Sequence, residues 1–256
     1  MSIIIGSNKK DATNILSSDD KRQIIEYLGN KIKSLGVDVM NVQHNMDEII
    51  WLRDIFVVID NKCIICNLTT NDSIGKDRSK EYLSIASTLF SKYTIVHLPN
   101  DVKLEGGDII QNENDIFIGI GERTNEKAIE HMQYLFPMKN IIPISHTDMH
   151  LDCVLSVVFP NTILYSRKRT HIEHKYINKY TLHDIDDETD GILVTNFLII
   201  GDNIIHSNRR ENKKVVNILE NLGYTIHIVD IKELWKEGGG IRCMTQWIQK
   251  TNQEIY

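Results

Sequence analysis

Residues 105–120 read E-G-G-D-I-I-Q-N-E-N-D-I-F-I-G-I: a polar tetrad, an apolar run, a break of Asn, Asp and Glu, and a second apolar run. Two such runs around a turn-forming break are the pattern of a β-hairpin. Residues 125–136 then space their apolar side chains as a helix, and 141–144 form a short strand. This order of polar entry, hairpin, helix and strand recurs on both sides. Upstream, W-L-R-D at 51–54 opens apolar runs at 55–59 and 62–68 hinged at Asp60 and Asn61, followed by a helix over 78–93 and a strand over 94–98. Downstream, H-L-D at 150–152 opens runs at 153–158 and 162–166, with a helix expected within 170–180. A further hairpin, 197–200 with 203–206, precedes a helix over 209–222 and a strand over 224–229.

The N-terminal unit has a strand at 3–5, a helix over 19–35 stopped by Gly36 and a strand over 37–42, but no hairpin of its own. The last apolar run, 244–248, could pair with 3–5 and supply it. A period of about 50 residues marks a repeat architecture. Five ββαβ units of α/β class, in one domain over 1–256, would close into a ring and turn their strand-entry loops toward a central channel.

The chain has 256 residues and a net charge of −6, which argues against nucleic acid or an anionic membrane as partner and suits a small cationic molecule. No apolar run approaches the roughly 18 residues that would cross a bilayer. The start, M-S-I-I-I-G-S, lacks the basic region and long apolar stretch of a signal peptide, so a cytoplasmic location is expected. A homodimer is compatible with all of this. Cys63, Cys66, Cys153 and Cys243 are then expected as free thiols. C-I-I-C at 63–66 has no second ligand pair at zinc spacing, and its apolar filling reads as a strand. The acidic run at 184–190 reads as a solvated loop.

Residues 236–246, K-E-G-G-G-I-R-C-M-T-Q, place Cys243 behind three consecutive glycines. Such a run breaks helix and strand and lets Gly239 and Gly240 bring backbone close to a ligand. A buried structural thiol is the commoner fate of one cysteine. Upstream, however, the chain carries an imidazole, His150, and the carboxylates Asp54, Glu105 and Asp152, each at a strand entry. A thiol facing carboxylates suits a guanidinium, whose fork of N–H donors matches carboxylates bidentately, so Asp54 and Asp152 could clamp it from two sides. Cys243 would attack as thiolate and His150 would protonate the departing nitrogen, then activate water. His146 with His150 spells H-x-x-x-H, but Thr147 stands where a zincin needs Glu and no helix is expected there; neither metal nor cofactor is predicted. Asn196 precedes a strand in a position comparable to the other polar signatures and could line the channel, although a turn role fits it better. Asp108 and Asp148 are equally compatible with loop roles.

These motifs resemble the guanidine-modifying (pentein) superfamily of arginine deiminases, dimethylargininases, agmatine deiminases and glycine amidinotransferases, over nearly the whole chain. The resemblance implies a fivefold pseudosymmetric α/β propeller, with Asp54 gripping the substrate guanidinium and Glu105 of E-G-G-D supporting the catalytic histidine. M-H-L-D at 149–152 is similar to the arginine deiminase pattern; it implies His150 as acid/base and Asp152 as second guanidinium carboxylate, which dimethylargininases lack. The loop G-G-G-I-R-C-M-T resembles the arginine deiminase segment that carries the nucleophile. I-F-I-G-I-G-E-R-T-N at 116–125 looks like a dimethylargininase segment, which gives Arg123 the substrate's α-carboxylate and Arg78 of K-D-R-S-K-E a companion role. Departures are informative. The chain has no room for the extra helical domain of typical bacterial arginine deiminases. Agmatine deiminases have E-G-G-N, and arginine dihydrolases place Asn where Asp54 stands. The same propeller also serves a non-catalytic, ribosome-associated factor. The resemblance therefore implies a hydrolase converting arginine or a close derivative to citrulline and ammonia, with dimethylargininase, arginine dihydrolase and a non-catalytic binding protein as alternatives.

Overall fold

The computed structural model describes residues 2–8, 18–44, 50–68, 78, 80–186, 193–207, 213–235 and 238–249. The chain opens with β1 (Ser2–Asn8), α1 (Ser18–Ser34) and β2 (Asp38–His44). A second unit follows: one turn of helix, α2 (Leu52–Ile55), then β3 (Phe56–Ile59), β4 (Lys62–Ile65), α3 (Ala86–Leu89) and β5 (Thr94–His97). The third is β6 (Ile109–Asn112), β7 (Asp115–Ile120), α4 (Glu126–Leu135) and β8 (Asn140–His146). The fourth is β9 (Leu155–Val158), β10 (Thr162–Tyr165), β11 (Thr170–His171), α5 (His174–Ile177) and β12 (Thr181–Asp184). The fifth is β13 (Leu198–Ile200), β14 (Asn203–Ser207), α6 (Lys213–Asn221) and β15 (Thr225–Val229); α7 (Lys232–Trp235) and β16 (Thr245–Gln249) complete the chain.

One topology repeats through these units. A hairpin pairs antiparallel, and its second strand takes the strand after the helix in parallel: β3-β4-β5, β6-β7-β8, β9-β10-β12 and β13-β14-β15. The first unit completes the set from the far end of the chain. β16 lies antiparallel to β1, with Trp247 opposite Ile3 and Thr245 opposite Ile5, and β1 takes β2 in parallel. The expected closure of the N-terminal unit by the C-terminal strand is therefore present.

Strand alternation decides where the core sits, because successive side chains point to opposite faces of a sheet. Val57, Ile59 and Ile64 pack with Ile109, Ile116 and Ile118 of the next sheet, while Phe56 and Ile65 turn the other way, onto Ile4 and Ile248. Ile110, Phe117 and Ile142 meet Leu155, Val157 and Ile163; Val158 and Leu164 meet Phe197, Ile199 and Ile204. Leu198, Ile200 and Ile205 then meet Ile3, Ile5 and Trp247. Each of these clusters joins two consecutive sheets, and the last joins the fifth to the first. Strands buried on both faces explain why the sequence shows continuous Ile/Val runs rather than clean alternation.

Two expected helices are shorter than the sequence suggests. Over 78–93 the described residues hold a 3-10 turn, Glu81–Ser84, and α3 alone; Ser84 is a weak helix former, and its hydroxyl donates to the Glu81 carbonyl at 2.6 Å. Over 170–180, Thr170 and His171 are drawn onto β8 opposite His146 and Ser145, leaving one turn in α5. β12 was hidden because T-L-H-D has no apolar run; its parallel pairing with β10 holds it. Residues 209–212 of the expected last helix, 187–190 of the acidic run, and Lys236 and Glu237 lie outside the described residues. Among the described residues no helix is long and apolar enough to cross a membrane.

Candidate active site

Every polar signature occupies the segment that leads into the first strand of a hairpin. Asp54 lies on α2 before β3, E-G-G-D forms a 3-10 turn before β6, H-L-D forms another before β9, and Cys243 directly precedes β16. The repeat thus delivers its side chains to one place: single ligand atoms of Asp54, Glu105 and His150 lie within 4.8 Å of one another.

His150 is buried, its Nε2 at 2.8 Å from Glu105 Oε2 and its Nδ1 at 3.7 Å from Asp54 Oδ1. Burial opposes a charge on the ring, yet Asp54, the hydrogen bond to Glu105 and the charge of Asp108 outweigh it and hold His150 well above the ordinary histidine value. These anions favour the protonated ring, which is the form that can give a proton. Gly107 is required beside it, because a Cβ there would stand 2.6 Å from the ring. Asp108 braces the surround: Oδ1 accepts Leu151 N–H at 2.8 Å, Oδ2 accepts Thr124 Oγ1–H at 2.6 Å, and Thr124 Oγ1 in turn accepts Glu105 N–H at 3.2 Å.

Cys243 is buried and tied to two other strand entries. Its carbonyl accepts Arg53 N–H at 3.1 Å, and its sulfur accepts Asn196 Nδ2–H at 3.2 Å. Arg53 Nε donates to the Arg242 carbonyl at 3.3 Å and Nη1 to Gln246 Oε1 at 2.7 Å, which fixes the chain on either side of the thiol. Burial pulls the Arg53 guanidinium down to about 9, with Arg242 adding to the effect against Asp152, Cys243 and Asp54; it stays cationic at neutral pH. The glycines of the loop face neighbours: a Cβ on Gly239 would strike the Trp51 ring, and one on Gly240 the Asn196 amide. Close packing against those two side chains is what this structure asks of Gly239 and Gly240.

Asp152 is fully buried, and its Oδ2 has no hydrogen-bond partner, Arg242 Nε lying at ion-pair distance, 3.4 Å. Burial raises its pKa above the usual carboxylate value, with Arg242, His150 and Arg53 pulling the other way. Cys153, next in sequence, is held well above the ordinary thiol value by its hydrogen bond with Cys243 and by burial, so it stays an S–H. Cys63 is pushed up to about 12 by burial, and Cys66 is raised well above the ordinary value by the same cause, in keeping with an inert strand.

The arginines divide. Arg78 Nη1 donates to Asp54 Oδ2 at 2.9 Å, while Nε and Nη2 both bond the buried Glu81 carboxylate at 3.0–3.1 Å. In this arrangement its guanidinium is committed to two carboxylates rather than presented to a ligand's. Arg123, on the turn after β7, brings Nη1 to 3.7 Å from Glu105 Oε1.

A family model described as "N,N dimethylarginine dimethylhydrolase, eukaryotic" matches residues 9–250. The chain belongs to that family. It lies within the pentein superfamily, close to arginine deiminase and dimethylargininase. Relatives of this dimethylarginine dimethylhydrolase family member include the Bacillus subtilis protein YkgA, 26% identical over 90% of this chain and 79% of its own. An arginine deiminase of Borreliella afzelii is 24% identical over 91% of this chain and 69% of its own. Among solved structures, the N-terminal domain of ArgZ, a cyanobacterial arginine dihydrolase bound to its substrate, superposes with a TM-score of 0.81 at 16% identity, covering 95% of this chain and 96% of that one.

Sequence reasoning missed three contributors to this family member's site. Arg53 was passed over in favour of Asp54, although charged residues are almost never fully buried unless paired, and an Arg inside an apolar W-L-R-D turn is a signal. Arg242 was read only as part of a motif. Asn196 fits a turn role better than a channel one by sequence; its place two residues before β13, like that of Asp54 before β3, is the clue to the channel. The trio Asp54, Glu105 and His150 has the spacing to hold a divalent cation, and His150 Nε2 is engaged with Glu105. His146 is not part of that trio; its Nε2 lies 3.0 Å from Asp108 Oδ1.

Proposed function

We propose that this protein is a cysteine-dependent guanidino hydrolase that converts L-arginine or a close derivative to citrulline and ammonia. The observation that carries the reading is Asp152 Oδ2, a fully buried carboxylate oxygen that makes no hydrogen bond and has Arg242 Nε at ion-pair distance, 3.4 Å. A buried acceptor left unsatisfied costs free energy that an arriving N–H donor returns. The guanidinium of arginine supplies two forks of donors for Asp152 and Asp54. Cys243 Sγ forms a bond to the guanidinium carbon, and the C–N bond breaks as His150 protonates the departing ammonia. The neutral imidazole, held by Glu105, takes a proton from water as its oxygen attacks the thiouronium carbon. The C–S bond then breaks, citrulline leaves and the thiolate returns.

The five sheets with cyclically shared cores support a fivefold propeller in one catalytic domain, the strand entries lining its channel. Arg123 faces the α-carboxylate, Gly239 and Gly240 shape the loop over the substrate, and Arg78 holds Asp54. No cofactor or metal takes part, and the partner is a small guanidino compound rather than nucleic acid or membrane.

A second reading is favoured by the family match: N-methylated arginine as substrate, with a methylamine leaving. Incubating the purified protein with arginine, monomethylarginine, dimethylarginine and agmatine, and identifying products by mass spectrometry, separates the two. Citrulline from arginine at the highest kcat/KM supports the first reading; ornithine as product, or no turnover of any of the four, overturns it.

A further inference from the structure

Asn196 occupies the fifth strand entry, two residues before β13 as Asp54 stands two before β3 and Cys243 two before β16, and its side chain uses all of its positions. Oδ1 accepts the N–H groups of Arg242 at 2.9 Å and Cys243 at 3.2 Å; Nδ2 donates to the Asp152 carbonyl at 3.3 Å and to Cys243 Sγ at 3.2 Å. It is 1% exposed, and Gly240 lacks a side chain where one would collide with this amide. A turn residue needs none of these long-range bonds, which span 44 to 47 positions in the chain.

We infer that Asn196 is a further catalytic residue, one that touches the attacking sulfur itself: its amide N–H holds the Cys243 thiolate while its oxygen fixes the loop that carries it. The thiolate is the nucleophile, and a hydrogen bond donated to the charged form favours that form. The Asn196 amide also ties the nucleophile loop to Asp152 through its carbonyl, so sulfur and guanidinium carboxylate keep a fixed relation.

The inference deepens the proposed hydrolase and rests on it for the role of Cys243, but its test does not need the substrate. Asn196→Asp keeps an oxygen to accept the two backbone N–H groups and loses the amide donor; Asn196→Ala loses both. The rate of Cys243 alkylation by iodoacetamide at pH 7 is followed by peptide mass spectrometry, beside thermal melting and turnover of the best substrate. Loss of one donor to a charged sulfur is expected to slow alkylation about tenfold or more in Asn196→Asp, with kcat falling alongside and KM little changed. Both variants alkylating at the wild-type rate while folded would overturn the inference. So would a loss of melting temperature in Asn196→Asp with alkylation unaffected, which marks a merely structural amide. If the wild type turns over no guanidino compound, the proposed reaction fails, and the alkylation contrast still decides the role of Asn196.

Discussion

Arg78 Nη1 sits 2.9 Å from Asp54 Oδ2, so the carboxylate expected to grip a substrate guanidinium already carries one from the protein's own chain. Burial works against the Arg78 charge, but Asp54 and Glu81 outweigh it and raise its proton affinity. Removing this cation takes a two-pronged partner from buried Glu81, and breaking a buried pair from one side costs about 3–5 kcal/mol. Arg78→Met is therefore expected to lower stability in chemical denaturation by that order, and Arg78→Met/Glu81→Gln to recover most of it. In the double variant the preference for arginine over agmatine is expected to persist, because Arg78 is committed to carboxylates of the protein. A collapse of that preference would return Arg78 to the substrate's α-carboxylate.

With Asp54, the 2.8 Å contact of His150 with Glu105 is expected to set the alkaline limit of the proposed activity. His150 is raised above its ordinary value of 6.5, so its stabilising contribution is full below that value and is lost as pH rises through the raised one. Proton donation to the leaving nitrogen fades over the same rise. Glu105→Gln removes one of the anions that support the imidazolium, so the alkaline limb of the kcat profile is expected to move to lower pH. His150→Asn removes the proton carrier altogether, and turnover is expected to fall about 10²–10⁴-fold. An alkaline limb unmoved in Glu105→Gln would detach Glu105 from the histidine's ionisation.

The nucleophile is tested most directly by exchange of one atom. In Cys243→Ser the hydroxyl meets an imidazolium that cannot take its proton, so turnover is expected to fall to the assay background while melting temperature stays near wild type. Intact-protein mass spectrometry of the wild type, quenched in acid during turnover, is expected to show the thiouronium adduct, and Cys243→Ser to show none. Activity retained by Cys243→Ser would remove the covalent step.

How much of this could be read beforehand follows from where the information lies. Hairpins were legible because each pairs neighbouring apolar runs across a short turn, as 109–112 pairs with 115–120. The pairing of β16 with β1 was legible only because the first unit lacked a hairpin. β12 was not, since a parallel edge strand such as T-L-H-D is held by its partner β10 rather than by its own apolar content. Cys243, His150, Glu105, Asp54 and Asp152 stood out by residue type and position. The bonds of Arg53 to Arg242 and Gln246, and of Asn196 to Cys243, connect residues 47 to 193 positions apart and leave no local pattern. Nor could the sequence say that Arg78 pairs with Asp54, because a cation two dozen residues away looks the same whether it faces the protein or a ligand.

Substrate choice follows from Asp152. Its Oδ2 is buried without a hydrogen-bond donor, and burial raises it above the ordinary carboxylate value, so it gains most from a ligand with a free N–H on that side. Methylation of the terminal nitrogen removes a donor and crowds the carboxylate; an unmet buried acceptor costs about 1–3 kcal/mol, several-fold or more in kcat/KM. Agmatine lacks the α-carboxylate that Arg123 would meet. The expected order is arginine, then monomethylarginine, with dimethylarginine and agmatine last. Asp152→Ala is expected to lose about 2 kcal/mol or more of transition-state binding for arginine, roughly thirtyfold in kcat/KM. It is also expected to narrow the gap between arginine and monomethylarginine, since the carboxylate that separates them is gone. If the Asp152 carboxylate grips arginine as proposed, KM for arginine is expected to rise as pH falls toward its raised value, and Asp152→Ala to flatten that rise. Dimethylarginine or agmatine emerging with the highest kcat/KM, or a gap unchanged in Asp152→Ala, would show that another group reads the guanidinium.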